Sequence, residues 1–348
     1  PNTVSFSTLM LLCARAASVG RATPRDGLMV VERMEESGVK GNEFMYNTYM
    51  DLVAKSAATG KASMGDGYAV LHKLRSAGIT ASVVTYNSLL DVCARAASND
   101  RATLHEGYQV ISAMKKAGLR PDTITFNTLM DVCAKQAVFS NAGVEEGLLI
   151  LEAMKEEMVP RDVLTYSILL DVCAKATENG DASIQDADSI LDRMREERML
   201  NIDTVLCNSF LECAKADGSE DALLSAQHLY NRMHPKQRDA YTYTRMISLL
   251  GKMRDWKGAL RILAEARDHG LKPTTYMYNA AMQACALSNR SENIPILLDS
   301  MRKDGARSDA VTRDIVKNMH SKGAQRSKGP RPWRDASDSA DAGRWHDG

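Results

Sequence analysis

Three sets of residues in this 348-residue chain have types that could do chemistry. The first is seven cysteines, of which Cys93, Cys133, Cys173 and Cys213 stand 40 residues apart, with Cys13 two such intervals before Cys93 and Cys207 and Cys285 outside that clock. The second is seven histidines, His72, His105, His228, His234, His269, His320 and His346, which share no register. Zinc or redox chemistry asks for ligands close together, as in CxxC, HxE or HxxxH, and none of these occurs. Thiols one interval apart are expected to be too far apart to share a metal, so the cysteines read as small apolar core residues. No catalytic residue, metal or cofactor is assigned. The third set is small polar side chains that recur just after an aromatic or apolar residue: Ser7, Asn47, Asn87, Asn127, Ser167, Asn208, Thr244 and Asn279. Their amides and hydroxyls can donate and accept hydrogen bonds.

These polar residues belong to a phrase that repeats along the chain. Met45-Tyr46-Asn47-Thr48-Tyr49-Met50 returns as Thr85-Tyr86-Asn87-Ser88-Leu89-Leu90, Thr125-Phe126-Asn127-Thr128-Leu129-Met130 and Thr165-Tyr166-Ser167-Ile168-Leu169-Leu170, and an earlier copy holds Phe6. Met34, Leu74, Met114, Met154 and Met194 keep the same 40-residue interval. Beyond residue 200 the phrase continues around Asn208, Thr244 and Asn279 at about 35 residues. Eight repeats begin near Thr3, Glu43, Val83, Thr123, Val163, Thr204, Ala240 and Thr275, and the start of a ninth helix spans Ala310 to Met319.

Apolar residues within each repeat follow helical spacing in two blocks, which predicts a pair of amphipathic helices. Gly38, Gly78, Gly118, Gly270 and Gly305 stand where a left-handed residue would close the second helix. Such a hairpin cannot bury its apolar faces alone, so stacked neighbours must cover them. The fold class is therefore all-α, a right-handed superhelical solenoid over residues 3–319 with one helix of each pair lining a concave face. Residues 320–348, with Lys322, Arg326, Lys328, Arg331 and Arg334 among Ser, Gly and Asp, read as a disordered tail. The five additional residues of each 40-residue repeat are expected to lengthen the turn between its helices or the adjoining helix ends.

Charge excludes a basic arm or tail protein: 44 Lys and Arg balance 44 Asp and Glu. Any polyanion binding must rest on local placement. No apolar run is long enough for a membrane span. The chain opens at Pro1, without a recognisable targeting segment, and reads as a fragment or a mature form.

The phrase Val84-Thr85-Tyr86-Asn87-Ser88-Leu89-Leu90, followed by Met114-Lys115-Lys116-Ala117-Gly118-Leu119 and closed by Arg120-Pro121-Asp122, resembles a pentatricopeptide repeat of the P-type, and the likeness extends over residues 3 to 319. Tetratricopeptide repeats differ in placing Trp, Gly and Tyr early in the first helix. The departures are the 40-residue length of five repeats and Met158 where the closing Gly would stand. The resemblance implies single-stranded RNA binding in a mitochondrion or chloroplast, one base per repeat, with the RNA 5′ end toward the N-terminal repeats.

In that family the small polar residue and the last residue of the repeat select the base. The pairs carried over are Ser7 with Asn42, Asn47 with Ser82, Asn87 with Asp122, Asn127 with Asp162, Ser167 with Asp203, Asn208 with Asp239, Thr244 with Thr274 and Asn279 with Asp309. The implied target is 5′-ACUUGU(A/G)U-3′. Val4, Phe44, Val84, Ile124, Leu164, Val205, Tyr241 and Tyr276, three residues before each selector, correspond to the residues that sandwich the bases. Seven or eight residues after the selectors stand Arg15, Lys55, Arg95, Lys135, Lys175, Lys215 and Lys252, a row suited to phosphate contact. Acids such as Glu32, Glu35, Glu36, Glu146 and Glu152 fall instead in the second helices, so the neutral total reads as a sum over two faces.

Two other readings compete. The Asn residues could cap helices instead of reading bases, and the basic row could simply complement helix dipoles. At the level of function, the alternative is a structural subunit of an organellar ribosome, transcription complex or other ribonucleoprotein. A deaminase would need HxE and CxxC, so the chain is not read as an enzyme. Neither a membrane nor a small-molecule substrate is implied.

Overall fold

The computed structural model describes residues 2–197 and 203–326 and shows seventeen α-helices among them. They come in hairpins: α1 (Thr3–Ala17) with α2 (Pro24–Glu36), α3 (Glu43–Ala58) with α4 (Met64–Ser76), α5 (Val83–Ala97) with α6 (Leu104–Lys116), and α7 (Thr123–Ala137) with α8 (Val144–Glu156). After these follow α9 (Val163–Asn179) with α10 (Ile184–Glu196), α11 (Thr204–Asp217) with α12 (Glu220–Arg232), α13 (Ala240–Lys252) with α14 (Trp256–Asp268), α15 (Thr275–Leu287) with α16 (Ile294–Lys303), and α17 (Ala310–Arg326). The ninth helix was expected to end at Met319. Its backbone continues to Arg326, and the rest of the predicted tail lies outside the described residues.

Both ends of each hairpin are written in short polar signals. The last residue of a repeat is the N-cap of the next first helix: Asn42, Asp122, Asp162, Asp203, Asp239 and Thr274 each accept the backbone N–H three residues on. The first five second helices begin with capping boxes, as where the backbone N–H of Thr23 donates to Asp26 and that of Thr103 to Glu106, both at 2.8 Å. Gly38, Gly78, Gly118, Gly270 and Gly305 close second helices with φ between +67° and +79°. Met158 takes the same left-handed conformation at φ +55°, so the turn survives the missing glycine at the cost of strain.

Consecutive first helices pack directly on one another, and each second helix packs on its own first helix and on the next. Second helices scarcely meet one another, α10 and α12 excepted. An array held together through its first helices fans out on the other side, which leaves the first helices along the concave face. Between the layers lie the aromatics of the phrase, Tyr46, Tyr86, Phe126, Tyr166, Tyr243 and Tyr278, together with Met34, Leu74, Met114, Met154 and Met194, all buried. Six cysteines are buried with them and Cys13 is half-buried. Burial pushes the Cys93, Cys133 and Cys207 thiols up to about 12, which removes them from thiolate chemistry at neutral pH.

In the first four hairpins the layers approach closely at glycines that the repeat phrase did not reveal, and α10 carries buried Ala187 in the same register. Gly67, Gly107 and Gly147 lie inside second helices, where a Cβ would stand 2.7, 2.6 and 2.4 Å from Leu89, Leu129 and Leu169 of the following first helix. At Gly27 the clash would be with the Tyr49 ring, at 2.3 Å. The extension of the 40-residue repeats also becomes concrete when two hairpins are compared. Helix α5 has 15 residues and a turn over 98–103, whereas α13 has 13 residues and a turn over 253–255. The longer turns reach back: Lys61 Nζ donates to the Gly20 carbonyl at 2.6 Å, Arg101 to that of Gly60, and Asn179 Nδ2 to that of Ala137 at 2.6 Å.

Several capping aspartates are held in their charged form. At Asp122 and Asp162 burial works against ionisation, but the backbone N–H and hydroxyl of Thr125 or Thr165 and the amide of Asn87 or Asn127 outweigh it and keep the carboxyl below its ordinary value. At Asp309 the backbone N–H of Thr312 leads, with the Asn279 amide, in the same direction.

Three expectations follow. Gly27→Ala should lose about 1–3 kcal/mol in urea melts through overpacking, whereas Gly65→Ala, whose nearest neighbour would be Ser63 Oγ at 3.5 Å, should gain up to ~1 kcal/mol. Met158→Gly should raise stability by about 1 kcal/mol by relieving the left-handed strain. A folded-state value below the unfolded one gives a contribution that is complete above about pH 4 and lost as pH falls through the folded value. Unfolding free energy should therefore decline below that pH, and Asp162→Ala should cost about 1 kcal/mol at neutral pH and less in acid.

Candidate nucleic-acid interface

The repeat phrase lies on the first helices, so its residues recur along the concave face. On an α-helix Val84, Asn87, Asp91 and Arg95 fall within an arc of about 80°, and the corresponding residues of the other repeats do the same. Each of the first seven repeats thus lays an apolar side chain, a small polar one and a basic one along one stripe, and the eighth has Leu287 in the basic position. All eight apolar members are exposed, from 52% for Leu164 to 71% for Val4 and Tyr276, although the neighbouring phrase residues are buried. Eight exposed hydrophobic side chains in one register form a continuous feature of the surface.

At the floor of this groove four asparagines are clamped. Asn87 donates through its amide to Asp122 Oδ1 at 3.2 Å, and its carbonyl oxygen accepts from the Thr125 hydroxyl at 2.7 Å. The arrangement recurs at Asn127 with Asp162 (3.3 Å) and Thr165 (2.7 Å), and at Asn208 with Asp239 (3.3 Å) and Thr242 (2.9 Å). Asn279 repeats it with Asp309 (3.0 Å) and Thr312 (2.7 Å). Since the aspartate also caps the following helix, the asparagine orientation is fixed by the junction between two repeats. One amide N–H and one carbonyl lone pair remain for a ligand. The capping role expected as an alternative for the Asn falls instead to the terminal residue of the repeat. Thr125 and Thr165 stand in the repeated phrase, but their role depends on contact with the preceding repeat.

The other pairs are built differently. Ser167 and Thr244 return their hydroxyls to the Val163 and Ala240 carbonyls of their own helices, at 2.8 and 2.6 Å. Asn42, Asp203 and Thr274 serve as N-caps. Among the described residues no hydrogen bond joins Ser7 to Asn42, Ser167 to Asp203 or Thr244 to Thr274. Asn47 and Ser82 meet through Glu43, which accepts from the Asn47 amide at 3.5 Å and from the Ser82 hydroxyl, and Asn47 Oδ1 is buried without a partner. The repeat spacing gave no sign of this carboxylate, which stands one residue past the N-cap.

The basic row is present, but five of its seven members are engaged within the protein. Lys55 pairs with Asp51 at 2.6 Å, Arg95 with Asp91 at 2.9 Å, Lys135 with Asp131 at 3.3 Å and Lys215 with Glu212 at 2.6 Å. Lys252 is turned to the Lys215 and Ala216 carbonyls, at 2.5 and 3.1 Å, and so serves the turn edge. The sorting of bases into the groove and acids onto the second helices is therefore incomplete: a row of acids accompanies the bases. Among the described residues no group of three or more His, Cys, Asp and Glu could hold a metal, and no helix is long and apolar enough to cross a membrane.

Comparison with known proteins adds the following. A family model described as a pentatricopeptide repeat domain matches residues 69–136 and 236–287. No curated protein sequence matches the chain. Among solved structures, the pentatricopeptide repeat protein PPR10 from maize is 20% identical with a TM-score of 0.46, over 94% of this chain and 52% of that one. PPR10 in complex with an 18-nucleotide psaJ RNA element gives 19% and 0.45, over 94% and 54%. The pentatricopeptide repeat domain of Arabidopsis thaliana protein-only RNase P 1, in complex with tRNA, gives 12% and 0.40, over 66% and 98%. The chain spans about half the length of the maize protein. The family model matches two separate blocks of the capped hairpins that run from Thr3 through the start of a ninth unit, so over residues 69–136 and 236–287 this chain carries pentatricopeptide repeats.

Proposed function

We propose that this protein binds single-stranded RNA by sequence, one base per repeat, with the RNA 5′ end at the N-terminal repeats. One observation carries the reading. Four asparagine amides, each locked by the aspartate and threonine of the next unit, lie on the same face as an exposed apolar row. Locked donor and acceptor groups suit a Watson–Crick edge, and apolar or aromatic walls suit the faces of a base. On the selector pairs the target is 5′-ACUUGU(A/G)U-3′, best specified where the amide is clamped. The seventh position is the least specified, because Thr244 bonds into its own helix.

The site of action is an organelle, mitochondrion or chloroplast, as for P-type proteins of this family. Bound there, the solenoid would shield a transcript from exonucleases or hold a structured segment open near a start codon. Fluorescence anisotropy with the octamer and a scrambled version tests the reading. The matched RNA should bind at least about tenfold tighter, and Tyr241→Ala should weaken it by about 1–3 kcal/mol through lost stacking. Equal affinity for the two RNAs would overturn base readout.

A further inference from the structure

The acids that accompany the groove cations form a row of their own. Asp51, Asp91, Asp131 and Asp171 each stand four residues after a selector, one helical turn along the same stripe, and Glu212 follows Asn208 by the same interval. Four of them touch the cation of their own repeat at 2.6 to 3.3 Å, and Glu212 also holds Arg245 at 2.6 Å. Asp171 lies near Lys175 and Lys135. The row ends at both sides of the stack, where Leu11, Ser248 and Gln283 occupy its register.

We infer that this carboxylate row limits the affinity of the groove for RNA of arbitrary sequence. The inference rests on the RNA-binding reading above. Gain from a polyanion comes from neutralising phosphates and releasing their counterions. A lysine already paired with an aspartate brings no net charge to the phosphate, which must displace the carboxylate or lie beside it. These pairs are partly exposed, so they exchange readily and remain available to a backbone held in place by its bases. The consequence is a shallow salt dependence and little hold on unmatched RNA.

The test replaces Asp51→Asn, Asp91→Asn and Asp131→Asn together in the full chain. A control with the same change in net charge carries Glu36→Gln, Glu145→Gln and Glu156→Gln on the second helices. Dissociation constants for the matched and scrambled octamers are measured over a salt series, with circular dichroism melts for each protein. In the aspartate variant the slope of log K against log salt should steepen by about 2, at about 0.7 per freed phosphate contact, and scrambled RNA should bind about tenfold or more tighter at low salt. The control should move much less. An unchanged slope in a variant with the parental melt, or an equal change in the control, overturns the inference. If the slope steepens while neither octamer is preferred by any protein, the carboxylate row stands and base readout falls. Asp131→Asn alone, expected to give about a third of the change in slope, keeps the test decisive should the triple variant fold poorly.

Discussion

The distance between a second helix and the first helix of the next repeat governs everything else in this molecule. Where Gly67, Gly107 and Gly147 meet Leu89, Leu129 and Leu169, the leucine fills the space that a β-carbon would take. Glycine inside a helix costs about 1 kcal/mol of propensity relative to alanine, and that loss is offset by closer packing of a buried interface. The approach fixes how far one first helix stands from the next. Along the concave face that distance becomes the interval between successive polar residues of the phrase and between the exposed apolar side chains that flank them. The spacing of the groove thus depends on a contact on the far side of the first helices.

The second constraint is that one residue at each junction serves two tasks. Asp122, Asp162, Asp239 and Asp309 satisfy the first N–H groups of a helix and at the same time hold the preceding asparagine amide. Loss of the aspartate therefore frees the asparagine and loosens a helix start together, which ties the geometry of the groove floor to the stability of the stack. Where Ser167 or Thr244 stands in place of the asparagine, its hydroxyl bonds into its own helix although the junction stays capped, and Asn47 turns to Glu43 instead. The electrostatics are also local: Lys55, Arg95, Lys135 and Lys215 are each answered by a carboxylate from one turn away.

Much of this was legible in the sequence because it is carried by identity at fixed spacing. The aromatic-polar phrase, the Met register and the closing glycines each mark a position that the fold uses the same way every time. Other features depend on contact between units and leave no mark at a single position. Thr125 and Thr165 look like ordinary helix residues until the asparagine of the preceding repeat lies against them. Asp91 reads as one of many surface acids until Arg95 turns to it. Lys252 fits the basic register by counting, yet in its shorter hairpin the side chain reaches the carbonyls of the preceding turn. At Met158 sequence suggested an altered turn, but the surrounding helices impose the left-handed conformation on a side chain that disfavors it.

Both edges of the stack are laced by side chains that donate to main-chain oxygens of a neighbouring unit. On the turn edge Lys61 reaches Gly20, Asn179 reaches Ala137, Lys252 reaches Lys215 and Ser288 reaches Arg254; on the opposite edge Thr123 reaches Pro160 and Thr275 reaches Arg307. Every residue type supplies a carbonyl, so the acceptor side of each bond places no demand on sequence. A unit can be duplicated, lost or exchanged and still find its partners in whatever neighbour it receives. The architecture is in this sense an alphabet with a common binding: the letters can be rewritten because the stitching does not read them.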